Sequence, residues 1–178
     1  MEKVLLVRYT EIHLKGLNRP YFERALVTNM KRALRGINGA AEEGAPSPAE
    51  PYIEREHGRI YVRGIKDAVF DEALDRLTRV FGIHSISPAW AVDKEWETVV
   101  SAAAELMAPL VERKPDSTFK VFARRSDKHY FMNSDTINRE LGGRMLVYHP
   151  KTICEFHVQL SFLSAQNQCF LRRRRFSD

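Results

Sequence analysis

The apolar positions along this chain follow two rhythms. Val4–Val7 is an unbroken apolar run with valine at both ends, which reads as a buried strand. After it, Phe22, Leu26, Met30 and Leu34 recur every fourth residue with Ala25 and Ala33 beside them, predicting a helix with one buried stripe. Pro20 suits the first turn of that helix, where its missing N–H costs nothing, and Gly36 suits the stop. Ile53 to Arg55 and Arg59 to Arg63 flank His57-Gly58 and predict a β-hairpin. Val69, Phe70, Ala73, Leu74, Leu77 and Val80 define a second helix over 67–80, and residues 85–92 return as a strand.

The order is βαββαβ. Two helices against one four-stranded antiparallel sheet make a ferredoxin-like domain that closes near residue 92. Residues 36–51 hold three glycines, three prolines and four alanines, and are expected to form a loop. Beyond 92, Trp96, Val99, Val100, Ala103, Leu106, Met107 and Leu110 give a third helix over 95–111. A strand over 118–123 follows, then a helix over 135–148 capped by Ser134 or Asp135, a strand over 152–163 and a closing strand over 168–176. The expected fold class is α+β: a ferredoxin-like domain over 1–92 and a small α/β domain over 93–178.

Charge changes this picture in one respect. The net charge is +5, and residues 118–178 carry 11 Lys/Arg against 5 Asp/Glu, which is +6. Residues 1–117 carry the remaining 17 basic and 18 acidic groups, which is −1. A basic face attracts phosphate by counterion release, so nucleic acid is a natural partner, although a solvated basic surface has the same composition. No apolar run approaches the roughly 20 residues of a membrane span, and the N-terminus has no signal-peptide pattern, so a cytoplasmic protein is expected. Cys154 and Cys169 stand alone without a CxxC pair or a histidine at ligand spacing, so no metal site is expected.

The sequence contains no GxxxxGK[ST] loop, no HExxH and no SGGxDS loop. Catalytic residues are therefore not assigned, and no cofactor is expected on this chain. The strongest positive signal is Phe119-Lys120-Val121-Phe122-Ala123-Arg124-Arg125-Ser126-Asp127-Lys128. A strand there would deliver Lys120, Arg124, Arg125 and Lys128 to one edge of the domain, where arginine can clamp a phosphate through two donors. Tyr130 and Phe131 follow, and aromatics beside cations can stack on unpaired bases. Asn138, Arg139 and Arg144 lie on the next helix around Gly142-Gly143, a pair that costs a helix roughly 2 kcal/mol unless something packs against it. A solvated basic turn fits the same residues.

A second signal is Arg8-Tyr9-Thr10-Glu11-Ile12-His13-Leu14-Lys15-Gly16-Leu17-Asn18-Arg19, a polar loop with the cations Arg8, Lys15 and Arg19. Glu11 reads as an ion-pair partner, and His13 and His84 as surface or packed histidines. The run Arg172-Arg173-Arg174-Arg175 can attract phosphate. On a strand it would alternate faces, and a frayed solvated end is the other reading.

Together these segments resemble the N-terminal region of tRNA 4-thiouridine synthetases, also called tRNA sulfurtransferases. The carrying motifs are the Leu5–Arg19 stretch, Val80-Phe81-Gly82-Ile83-His84, the Phe119–Lys128 stretch and Ile137-Asn138-Arg139-Glu140-x-Gly142-Gly143, in that order. After Pro150 the sequence departs from the family pattern. The resemblance implies a ferredoxin-like domain followed by a THUMP domain, which grip the tRNA acceptor stem. It implies tRNA as partner and a homodimer. It also implies an ATP-pyrophosphatase domain, downstream or on a separate protein, that binds ATP and makes 4-thiouridine. Thiamine biosynthesis is tied to the same family. This chain alone is then expected to bind RNA and not to be an enzyme. The alternative is the RNA-binding subunit of a split sulfurtransferase.

Overall fold

The computed structural model describes residues 1–9, 18–39, 50–56, 58–113, 119–125, 128–148, 156–163 and 168–174. The chain divides into two compact units, Lys3–Pro88 and Ala89–Asp178 with Met1–Glu2 joined to the latter.

In the first unit β1 (Glu2–Arg8) pairs antiparallel with β3 (Arg59–Arg63), and β3 pairs with β2 (Tyr52–Glu56). The strand order is β2-β3-β1, with β4 (Ser85–Asp93) next to β1. The helices are α1 (Arg19–Leu34) and α2 (Phe70–Thr78). This is the predicted ferredoxin-like order. The hairpin turns where expected, with Gly58 at φ 74°, a left-handed conformation that a side chain disfavours. Leu5, Val7, Leu26, Met30, Leu34, Ile60, Val62, Phe70 and Leu77 form its core.

Three details differ from the expectation. Phe22 lies outside the buried stripe at 36% exposure. Each step of four residues overshoots a helical turn by about 40°, so over three steps the stripe has rotated by about 120°. The second helix opens with a 3-10 turn at Asp67–Val69. Asn38, just past α1, is 8% exposed and knits the connection after β3. Its Nδ2 donates to the Gly64 carbonyl at 2.8 Å, and its Oδ1 accepts from the Lys66 N–H at 3.1 Å. Most of the glycine- and proline-rich loop, residues 40–49, lies outside the described residues.

The second unit holds α3 (Trp96–Arg113), α4 (Ser134–Tyr148), β5 (Phe119–Arg125), β6 (Phe156–Leu163) and β7 (Gln168–Arg174). The order is β4-β7-β6-β5, with β5 and β6 parallel and the other pairs antiparallel. Parallel β5 and β6 need a crossover, and α4 is that crossover. Val99, Val100, Met107, Val121, Ala123, Ile137, Leu141, Met145, Cys169 and Leu171 make the core. The Glu95 carboxylate accepts from the N–H groups of Glu97 and Thr98 at the start of α3. At α4 the cap is Asn133, whose Oδ1 accepts the Thr136 N–H at 2.8 Å, and not Ser134 or Asp135. No helix among the described residues is long and apolar enough to cross a membrane.

Candidate nucleic-acid interface

Strand alternation decides what β5 offers. Val121 and Ala123 are buried against α3 and α4. Lys120, Phe122 and Arg124 therefore stand on the opposite face, and all three are exposed. Lys120 Nζ lies 4.8 Å from the centre of the Phe122 ring, so a cation and an aromatic face are presented together. Lys128, in the turn after β5, is also exposed. Among the described residues no carboxylate pairs with Lys120, Arg124 or Lys128.

Arg125 falls on the helix side of the strand. Its Nη1 points at the carbonyls of Lys128 and Tyr130, at 3.5 and 3.4 Å, so the guanidinium braces the following turn. Asn138 is also engaged: its Oδ1 accepts the Ala123 N–H at 2.7 Å and ties α4 to β5. Arg144 donates to Glu97 at 2.7 Å, linking α4 to α3. Arg139 is 77% exposed, with only a loose 3.6 Å approach to Glu140. The structure thus gathers Lys120 and Arg124 on the open sheet face, with Lys128 at the strand's end. Arg139 and Arg144 belong to the helix layer.

The two aromatics after β5 part company. Tyr130 is buried, and its hydroxyl donates to the Lys94 carbonyl at 3.0 Å, so it is not a stacking platform. Burial, followed by the charges of Cys169 and Glu95, pushes its phenol up to about 12. Phe131 is 72% exposed. Phe122 is the aromatic that the sequence reading missed. Its signal was the period-two alternation with Lys120 and Arg124. The glycine pair in α4 faces open space, since a Cβ at Gly142 or Gly143 would meet nothing within 4 Å. Intramolecular packing therefore does not account for the glycines.

In the first unit, Tyr9 and Arg19 flank residues 10–17 and share one acceptor. The Tyr9 hydroxyl and Arg19 Nε each reach Glu23 Oε1 at 2.8 Å, and Arg55 approaches Oε2 at 4.0 Å. Burial pushes the Glu23 carboxyl up, but the hydrogen bonds from Arg19 and Tyr9 outweigh it and hold the group below its ordinary value. The same network raises Arg19. Arg8 ends β1, and its carbonyl accepts the His84 N–H at 2.8 Å. Lys15, with Glu11 and His13, lies outside the described residues. His84 is exposed. No group of three metal-ligating residues occurs among the described residues.

Comparison with known proteins matches residues 4–87 to the ThiI ferredoxin-like domain and residues 93–160 to the THUMP domain. A probable tRNA sulfurtransferase from Acetivibrio thermocellus is 40% identical over 152 residues, 85% of this chain and 36% of that protein. One from Lachnospira eligens is 38% identical over 158 residues, 88% of this chain and 37% of that protein. The chain spans a little over a third of the length of these curated relatives. Among solved structures, a 4-thiouridine synthetase crystallised with RNA and ATP superposes with a TM-score of 0.75 at 27% identity, over 98% of this chain and 42% of that one. The chain therefore consists of a ThiI ferredoxin-like domain followed by a THUMP domain, and over that span it is similar to tRNA sulfurtransferases.

Proposed function

We propose that this chain binds tRNA, with the open face of β5 as a phosphate-contacting surface, and serves as the recognition part of a tRNA sulfurtransferase. The observation that carries the reading is the likeness, over 98% of the chain, to a 4-thiouridine synthetase solved with RNA. The exposed Lys120–Phe122–Arg124 row, without carboxylate partners among the described residues, supports it. Cations free of ion pairs can release phosphate counterions without first breaking an intramolecular bond. In this reading adenylation and sulfur transfer belong to the part of the relatives that these 178 residues do not span.

The test is tRNA affinity as a function of salt. Arg124→Ala with Lys128→Ala is expected to weaken binding across tRNA sequences and flatten the log–log salt slope by about one to two units. An unchanged slope would remove β5 and its turn from the binding surface.

A further inference from the structure

The arginine run at 172–175 had two readings, a frayed tail or a strand alternating between faces. The backbone supports the second for residues 172–174, which lie within β7. The strand register then relates them to β5. Lys120 is level with His157, and His157 with Arg174. Phe122 is level with Gln159, and Gln159 with Arg172. Partners in register occupy the same face of a sheet, so positions 172 and 174 share the face of Phe122 and Lys120. Arg173 is level with Val158 and through it with Val121, which is buried on the helix side. The next row on the open face, Arg124–Ser161–Phe170–Ala91, ends in two buried residues. The basic rows are therefore the 120 and 122 rows.

We propose that Arg172 and Arg174, but not Arg173, extend the face of Lys120 and Phe122 across three strands into one RNA-binding platform. Adjacent strands lie about 4.8 Å apart, so positions two strands apart are about 10 Å from each other. Such rows can engage successive parts of a phosphodiester backbone while Phe122 meets a base or ribose. The chemistry recognised is a phosphodiester backbone beside an aromatic face. This inference rests on the RNA-binding reading above.

The experiment compares Arg172→Gln with Arg174→Gln as a double variant against Arg173→Gln alone, in the full chain. Affinity for unfractionated tRNA is measured over a salt series, with circular dichroism melts to confirm folding. The double variant is expected to lose at least tenfold in affinity and about two units of salt slope, while Arg173→Gln stays within twofold. Equal loss per arginine at all three positions would mean indiscriminate attraction to a charged end and would overturn the platform. If the arginine variants bind like the parent while Lys120→Ala weakens binding, the platform fails and the RNA-binding reading survives. If the parent chain retains no tRNA, both fall. Should the double variant melt early, Arg172→Lys with Arg174→Lys separates charge from folding, since it keeps the salt slope if the platform exists.

Discussion

Both units hold paired and open cations, Arg24, Lys31 and Arg32 of α1 being exposed without a carboxylate among the described residues, and the instructive contrast is between the paired groups and the open ones of β5. In the first unit, Arg19 pairs with Glu23, Arg63 with Glu54, Arg76 with Glu72 and Arg79 with Asp75. In the second unit, Arg144 meets Glu97, but Lys120, Arg124 and Lys128 are exposed without a carboxylate among the described residues. Exposed ion pairs such as Arg76–Glu72 and Arg79–Asp75 stabilise weakly, so they matter less for folding than for what they withhold, whereas Arg63 is buried with its partner. A guanidinium already held by a carboxylate must give up that contact before it can bind phosphate. Counting basic residues therefore says less about binding than asking which of them are free.

The largest expected effect tests that contrast directly. Lys120→Ala with Arg124→Ala should weaken tRNA binding by about thirtyfold, roughly 2 kcal/mol. Arg76→Ala with Arg79→Ala removes the same formal charge and should change affinity less than twofold. Equal effects in a filter-binding titration would break the comparison, because net charge alone would then govern.

A smaller effect probes a paired site. Glu23→Ala should cost roughly 1.5 kcal/mol in urea unfolding at pH 7, since it leaves Tyr9 and Arg19 without their shared acceptor. Because the folded carboxyl is held below its unfolded value, its stabilisation is present above an unfolded pKa of about 4.3 and is lost as pH falls through the folded one. Parent and variant should therefore converge in acid. A gap that persists once the folded carboxyl is protonated would show that packing, not charge, was removed.

Asn138→Ala should cost about 1 kcal/mol of stability by freeing the Ala123 N–H, while tRNA affinity stays within twofold. A large loss of affinity with unchanged stability would make Asn138 a contact residue. The smallest effect is a gain. Gly143→Ala fills open space on a helix and should stabilise by about 0.8 kcal/mol. If it also weakens tRNA binding, RNA approaches the bare backbone of α4.

What was legible in the sequence follows the range of the interactions involved. Period-two and period-3.6 patterns are local, so the hairpin, the four helices and the antiparallel βαββαβ order could be read directly. The fate of a polar side chain depends on what lies opposite it in space. Asn138 and Arg125 sit among the basic motif in sequence, yet one closes a strand edge and the other braces a turn. Tyr130 looked like a stacking ring, but the Lys94 carbonyl gives its hydroxyl a partner inside the core. Phe122 stands off the apolar face of Val121 and Ala123, but its pairing with Lys120 is visible only in space. Only its alternation with Lys120 and Arg124 assigns it to the other face.

The strand β5 ends the described sheet order, and a last strand offers unpaired backbone groups to any passing chain. Asn138 already occupies one of them, the N–H of Ala123. Lys120 and Arg124, on either side of it, would set like charge against like if a second copy aligned its own β5 there. Pairing through this edge would thus be opposed by the same residues that are proposed to meet RNA. Variants that lose these charges are therefore expected to pair edge to edge more readily.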